Sequence, residues 1–274
     1  MGRMEISELK GKVKEIKAEC LEMCIMAGSG HVTSAFSCAE IVVALYYDIM
    51  NLYTDEKNRR KSDRFVMSKN HGSAITYPIL ADLGYIEKEE LRTFLQDGSR
   101  LGSHTKMGMA GVDFAGGSLG IGLGVACGMA YAAKCSKEQW ITYAIVGDGE
   151  CYEGSIWESV MFAGHNHLNN LVVFLDRNNM CVTDYTENML ELEPLADKWR
   201  AFQWDVKEID GHNLQEIIAS VRDVPKRKSS KPLCIICNTV KGNGIDFMSS
   251  KMFMHGVAPK GEWAKLAIRQ VRGE

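Results

Sequence analysis

Two unbroken apolar runs, each stopped by a polar residue and separated by one helix-length segment, constrain this chain more than any other feature. The first is "WITYAIVGD", Trp140 to Asp148, and the second is "NLVVFLDRN", Asn170 to Asn178. A strand buried on one face alternates apolar and polar residues, whereas a strand covered on both faces is apolar throughout. Two such strands joined through a helix make a right-handed crossover in a parallel sheet. "RFVMS" (Arg64 to Ser68) and "PLCIICNTV" (Pro232 to Val240) read as further strands, and helical patterns cover about residues 5–27, 72–84, 87–97, 153–167, 213–224 and 261–271. A helix is also expected to open at Ser37, where "SCAE" has the spacing of a capping box, and to run to about Asn51. The stretch from Leu101 to Gly124, with eight glycines, reads as a loop entering a helix near Ser118. The fold class is therefore α/β, a parallel β-sheet with helices on both faces, expected as a single domain over residues 1–274.

In such sheets ligands sit beyond the carboxyl ends of the strands. Asp148 and Asn178 both end strands, so both reach that edge. One offers a carboxylate and the other an amide oxygen. Mg²⁺ takes near-octahedral oxygen coordination, using one or two carboxylates and completing the shell with phosphate and water. Gly147 and Gly149 let the backbone approach phosphate oxygens, and the helix that follows presents free N–H groups to an anion. Singly, Gly-Asp-Gly is a common turn and Asn-Asn a common strand end. Together, flanking one helix, they point to a Mg²⁺-bound diphosphate.

Composition narrows the partners. A net charge of −3 gives no basic footprint for nucleic acid. The longest apolar run, "IVVALYY" from Ile41, is too short to span a membrane, and the N-terminus reads directly as an amphipathic helix with Ile6, Leu9, Val13, Ile16 and Cys20 at helical spacing. The expected location is the cytoplasm. The nine cysteines are odd in number and scattered. Cys234 and Cys237 have CxxC spacing but lie in a strand, where positions i and i+3 face opposite ways, so they are expected to be buried thiols.

Four of the seven histidines lie beside Gly- or Ser-rich turns. They are His31 in "SGHVTSA", His71 in "SKNHGSAITY", His104 in "LGSHTKMGMAGVDFAGGSLGIGLGVACGMA" and His255 in "MHGVAPKGEW". Histidine titrates near neutral pH and suits proton movement on sugar hydroxyls. His165, His167 and His212 have no motif behind them and read as structural or surface residues.

With those stretches in order, "GDGECYEGSIWES" through "FLDRNN" resembles the thiamine diphosphate signature, and the whole chain resembles the N-terminal part of transketolase. The resemblance implies the thiamine diphosphate-binding fold and the transfer of a two-carbon ketol group from a ketose phosphate to an aldose. It implies that Asp148, Asn178 and the backbone carbonyl of Met180 hold Mg²⁺, with Mn²⁺ or Ca²⁺ as alternatives. Gly147, Gly149 and Glu150 would meet the diphosphate, and Gly117 and Leu119 would line the cofactor pocket. His31, His71, His104 and His255 match histidines around the substrate channel. Glu153 matches a glutamate that links the two cofactor sites of a dimer.

The family's pyrimidine-binding domain, whose glutamate activates the cofactor, has no counterpart in these residues. The reading is thus one subunit of a split transketolase, completed by a C-terminal subunit in an α2β2 assembly. After His31 this chain has Val32-Thr33 where many transketolases have Pro-Gly, and it has Gly117-Ser118-Leu119 where they often have Gly-Pro-Leu. Both departures are expected beside the channel or pocket and leave room for a branched, sulfonated or otherwise modified sugar. Alternatives are half of a deoxyxylulose phosphate synthase, the α-subunit of a 2-oxoacid dehydrogenase, or a non-catalytic regulatory subunit. The four histidines argue against the dehydrogenase, and joint retention of Asp148, Asn178 and Glu153 argues against the regulatory reading.

Overall fold

The computed structural model describes residues 4–53 and 58–274. Five strands form one wholly parallel sheet: β1 (Arg64–Met67), β2 (Thr142–Gly147), β3 (Leu171–Arg177), β4 (Asp205–Asp210) and β5 (Leu233–Asn238), in the order β1-β2-β3-β5-β4. Central β2 and β3 are buried at every position, which is why their sequences are unbroken apolar runs.

Side chains alternate between two cores. Ile145, Val172, Phe174, Ile235 and Cys237 pack with α1 (Ile6–Ala27), α2 (Val32–Ser37), α3 (Ala39–Ala44) and α4 (Thr76–Asp82). Ala144, Val146, Val173, Leu175, Cys234 and Ile236 pack with α5 (Ile121–Ser136) and α6 (Gly154–His165). Cys234 and Cys237 therefore lie on opposite faces, both buried, as the strand period requires. The short α7 (Thr186–Met189) follows β3, and α8 (Leu195–Ala201) covers the second core through Trp199. Two later helices, α9 (Leu214–Val221) and α10 (Gly261–Arg272), return to the first core.

The helix expected over 87–97 is a 3₁₀ helix over Lys88–Thr93, and α7 and α8 lie outside the expected helices. Two further differences have a clear physical reason. Ser37 does not start a helix: α2 begins earlier, at Val32, and α3 follows Cys38. The Ser37 hydroxyl is 2.6 Å from the Asp176 carboxylate instead of capping backbone N–H groups. The strand β4 has no apolar run to announce it. It is an edge strand, "DVKEID", largely half-buried or exposed, and its charges discourage pairing with another chain. Among the described residues no helix is long and apolar enough to cross a membrane.

Candidate active site at the carboxyl edge

The carboxyl ends of β1, β2, β3 and β5 deliver one polar turn each to the same edge of the sheet. They carry Ser68 to His71, Gly147 to Glu150, Asp176 to Met180, and Thr239 to Lys241. At the centre lies Asp176, fully buried, which accepts hydrogen bonds from the Lys69 ammonium, the Ser37 hydroxyl and the Thr239 hydroxyl. Lys69 also donates to the Ser34 carbonyl at 3.1 Å and to Ser37 Oγ at 3.0 Å. Burial by itself would neutralise Asp176, but Lys69 and the hydroxyl donors hold its carboxyl below the ordinary range.

Asp148 is different. Its oxygens accept the Gly149 N–H at 2.8 Å and the Asn179 N–H at 2.6 Å, and Arg177 stands 3.6 Å away. Burial, then repulsion from Asp176, nonetheless raises its pKa to about 6. It is a carboxylate short of positive charge. Asn178 lies in the next turn, its Oδ1 accepting the Met180 N–H at 3.2 Å, and Asn179 takes the left-handed conformation that folds the turn back. Met180 is buried, its backbone bridged to Tyr185. Among the described residues no three His, Cys, Asp or Glu side chains form a ready metal cage. The residues expected as metal ligands would offer one carboxylate, one amide oxygen and one peptide carbonyl, a chemistry that fits a hard dication taking its remaining ligands from phosphate and water.

Glu150 does not stand free to meet a ligand. Its carboxylate accepts from Ser68 Oγ at 2.5 Å, Gly120 N–H at 2.8 Å and Gly147 N–H at 3.0 Å. It thereby ties the Gly-Asp-Gly turn to β1 and to the glycine-rich loop. That loop needs its glycines: a Cβ on Gly120, at φ +84°, would fall 2.4 Å from Ser155 Oγ. A Cβ on Gly117 would meet nothing within 4 Å, so this residue faces open space beside half-buried Leu119. Glu153 is exposed at the start of α6 and is not among the groups at the strand ends.

His31, His71 and His255 form a triangle, with ring centroids 5.0, 5.6 and 5.9 Å apart. His104 hydrogen-bonds to Ser103 Oγ at 2.8 Å and lies near enough to His31 to disfavour its protonation. All four are half-buried. Burial, and then neighbouring positive charge, pushes His71 well below its usual value and His255 down to about 4. Burial likewise lowers His31 and His104. Each shift favours the neutral imidazole, which offers one donor and one acceptor nitrogen. His165 and His167 lie exposed at the far end of α6, outside this group.

A stability consequence follows from His255. The unfolded chain takes up a proton near pH 6.5 and the folded site only near pH 4. Between those values the unfolded state binds more protons, so this contribution to stability is present at pH 7 and drains as pH falls. Solvent screening of a half-exposed ring reduces the effect to about 1 kcal/mol by pH 5. Urea unfolding at both pH values is expected to show a smaller loss in His255→Gln than in the wild type. Equal losses would mean that His255 is not held neutral.

Sequence reasoning missed Ser34, Lys69, Asp176 and Lys241. Lys241 is only 3% exposed. Burial and Lys69 lower its pKa to about 8, while Asp148 and Asp176 act to raise it. Among the described residues no carboxylate comes within ion-pair distance of its ammonium. Ser34 Oγ is buried without a hydrogen-bond partner. A buried cation and an unused hydroxyl at this edge are signs of an anion site, but in the sequence both sit in unremarkable contexts. Val32 and Thr33, expected beside the channel, are instead fully buried. The Thr33 carbonyl accepts the Gly242 N–H at 2.9 Å and its hydroxyl faces the Met254 carbonyl at 3.4 Å, so any influence on a substrate is indirect.

Comparison with known proteins identifies the family and the fold. Residues 9–273 match the family described as "Transketolase, thiamine diphosphate binding domain". A Clostridium sp. (strain MSTE9) protein named as a subunit of 6-deoxy-6-sulfo-D-fructose transketolase is 40% identical over 268 residues, covering 97% of each chain. A Phocaeicola vulgatus protein named as one of the subunits of apulose-4-phosphate transketolase is 36% identical, covering 98% of this chain and 95% of that protein. Among solved structures, transketolase from Campylobacter jejuni superposes with a TM-score of 0.89 at 28% identity, over 98% of this chain and 43% of that one. The chain thus spans less than half the length of that transketolase.

Proposed function

The chain belongs to the transketolase family, in its thiamine diphosphate-binding domain, and from that premise we propose that it is the diphosphate-binding subunit of a two-chain transketolase. The observation that carries the reading is the meeting, at one sheet edge, of an undercompensated carboxylate (Asp148), an unpaired buried ammonium (Lys241) and three clustered neutral histidines. Asp148, Asn178 and the Met180 carbonyl would hold Mg²⁺. Gly147 and Gly149 would leave the backbone bare beside the diphosphate, and Lys241 and Ser34 would meet its charge. Glu150 braces that turn, and Gly117 and Leu119 border the pocket. When bound, thiamine diphosphate supplies the electron sink for breaking and making the ketol C–C bond, while the protein supplies orientation and electrostatics.

His31, His71, His104 and His255 would orient the sugar hydroxyls and take or return their protons. The names of the two relatives, one for a sulfo-fructose and one for apulose-4-phosphate, favour a modified ketose as donor over the common pentose phosphates. Ile121 and Tyr131 on α5, with Met161 and Phe162 on α6, expose apolar side chains on neighbouring helices. That face, which includes Glu153, is where we place assembly into an α2β2 enzyme with a second subunit supplying the pyrimidine-binding region.

The test mixes this chain with its candidate C-terminal partner and assays two-carbon transfer from sulfofructose, apulose-4-phosphate and xylulose-5-phosphate. Activity is expected only from the mixture. His31→Ala and His104→Ala are expected to cut kcat at least 10-fold while changing cofactor affinity less than threefold. A mixture that binds the cofactor yet transfers nothing would sink the reading in favour of a regulatory role.

A further inference from the structure

Lys241 is a buried cation within electrostatic reach of Lys69 and three histidines, and among the described residues no carboxylate forms an ion pair with its ammonium to keep it there. The backbone must hold it. It sits in the turn that leaves β5, and that turn is tied on several sides. Thr239 N–H donates to the Arg177 carbonyl at 3.1 Å, Gly242 N–H to the Thr33 carbonyl at 2.9 Å, and the Lys241 carbonyl accepts from Ser250 N–H at 2.8 Å. The tie next to Lys241 itself is made by a side chain. Val240 N–H, immediately before Lys241, donates to His212 Nε2 at 2.8 Å.

That bond defines the imidazole. An accepting Nε2 places the ring proton on Nδ1, which lies 3.0 Å from Glu40 Oε2. The other Glu40 oxygen takes the Lys17 ammonium at 2.6 Å, and Lys17 also donates to the Asn243 carbonyl, at 3.2 Å, on the far side of the same turn. The Asn243 amide N–H donates to Glu40 Oε1 at 3.4 Å, and its approach to Nδ1 is a contact between two donors that meet at the same carboxylate. Lys17 and Glu40 are both buried. An ion pair rooted in α1 and α3 thus aims a histidine from the β4–α9 connection at one backbone N–H of the Lys241 turn.

We propose that His212, oriented by Glu40 and Lys17, is a positioning residue that holds Lys241 at the diphosphate. The proposal rests on the reading of Lys241 given above and adds how that lysine is kept in place. Without the imidazole, the Val240 N–H loses its acceptor and the turn can relax, letting a poorly solvated ammonium swing to water.

Two readouts on the full chain test it. The first needs no ligand: the rate at which an amine-acylating reagent labels Lys241, followed by mass spectrometry. His212→Ala is expected to raise that rate about 10-fold, and His212→Gln, whose amide oxygen can replace Nε2 as acceptor, to restore most of the protection. Labelling of exposed Lys265 serves as the internal reference, and urea unfolding checks that each variant is folded. The second readout is the affinity for thiamine diphosphate with Mg²⁺, by calorimetry, in a cycle of His212→Ala and Lys241→Met. His212→Ala should weaken binding about 10-fold when Lys241 is present and less than twofold when it is methionine.

Unchanged labelling in a folded His212→Ala variant would overturn the proposal. So would equal weakening in both backgrounds, because His212 would then act on the site other than through Lys241. Wild-type affinity in Lys241→Met would instead remove the diphosphate reading of Lys241, and the proposal with it. Should His212→Ala not fold, Glu40→Gln, which takes the orienting carboxylate from Nδ1, replaces it in both readouts with the same expected direction, and His212→Gln remains the variant that keeps the protection.

Discussion

Lys69→Met is expected to lower the unfolding free energy of this chain by ~3–5 kcal/mol, the usual consequence of removing one partner from a buried ion pair. Lys69 and Asp176 are both essentially inaccessible, and Asp176 also anchors Ser37 on α2 and Thr239 after β5. The loss comes mainly from the carboxylate left behind without a counter-charge. Converting it to an amide should therefore recover part of it: Lys69→Met with Asp176→Asn is expected to be more stable than Lys69→Met alone. Urea unfolding of the two variants beside wild type checks this. If the double variant were the less stable, the pair would not be the source of the loss. Such a penalty is a large share of the ~5–15 kcal/mol by which domains are stable.

Asp148→Ala is expected to leave a folded chain whose melting no longer responds to Mg²⁺ and thiamine diphosphate. In the wild type, ligand at about a hundred times its dissociation constant should add roughly 2.7 kcal/mol to stability. The variant should gain none. The unliganded variant should lose little stability, for a reason visible in the site. The fold raises the Asp148 pKa to about 6 from an ordinary value near 4, through burial and the Asp176 charge. The folded state then binds more protons than the unfolded between those values. Its contribution is present at low pH and lost as pH rises through about 6, so at neutral pH the ionised group strains the unliganded protein. This runs opposite to the His255 contribution over the same range, and the two separate only in the single variants. Thermal melts of wild type and Asp148→Ala, with Mg²⁺, with cofactor and with both, give the answer. A variant that still shifted with both ligands would mean that Asp148 is not the metal's carboxylate.

Much of this was legible in the residues. The uniformly apolar runs of β2, β3 and β5 could only be strands covered on both faces, and their polar stops had to fall at the ligand-bearing edge. Turn chemistry marked Gly147, Asp148, Gly149 and Asn178, and local Gly and Ser marked the four histidines. What escaped were elements with no period of their own: β4, whose position at the edge tolerates charge, and the start of α2, where Ser37 serves a distant aspartate in place of its own helix.

The order of elements along the chain determined the parallel α/β sheet, the edge that carries the site and the identity of its turn residues. Those properties depend on local period and on which residue ends which strand, and both are written in neighbouring positions. Tertiary structure alone decided which side chains are partners. Lys69 and Asp176 are separated by 107 positions, His212 and Glu40 by 172, and Lys17 and Asn243 by 226. No local pattern encodes such pairings. Burial at the sheet edge leaves each charge so costly when unpaired that the fold must bring its partner from elsewhere in the chain.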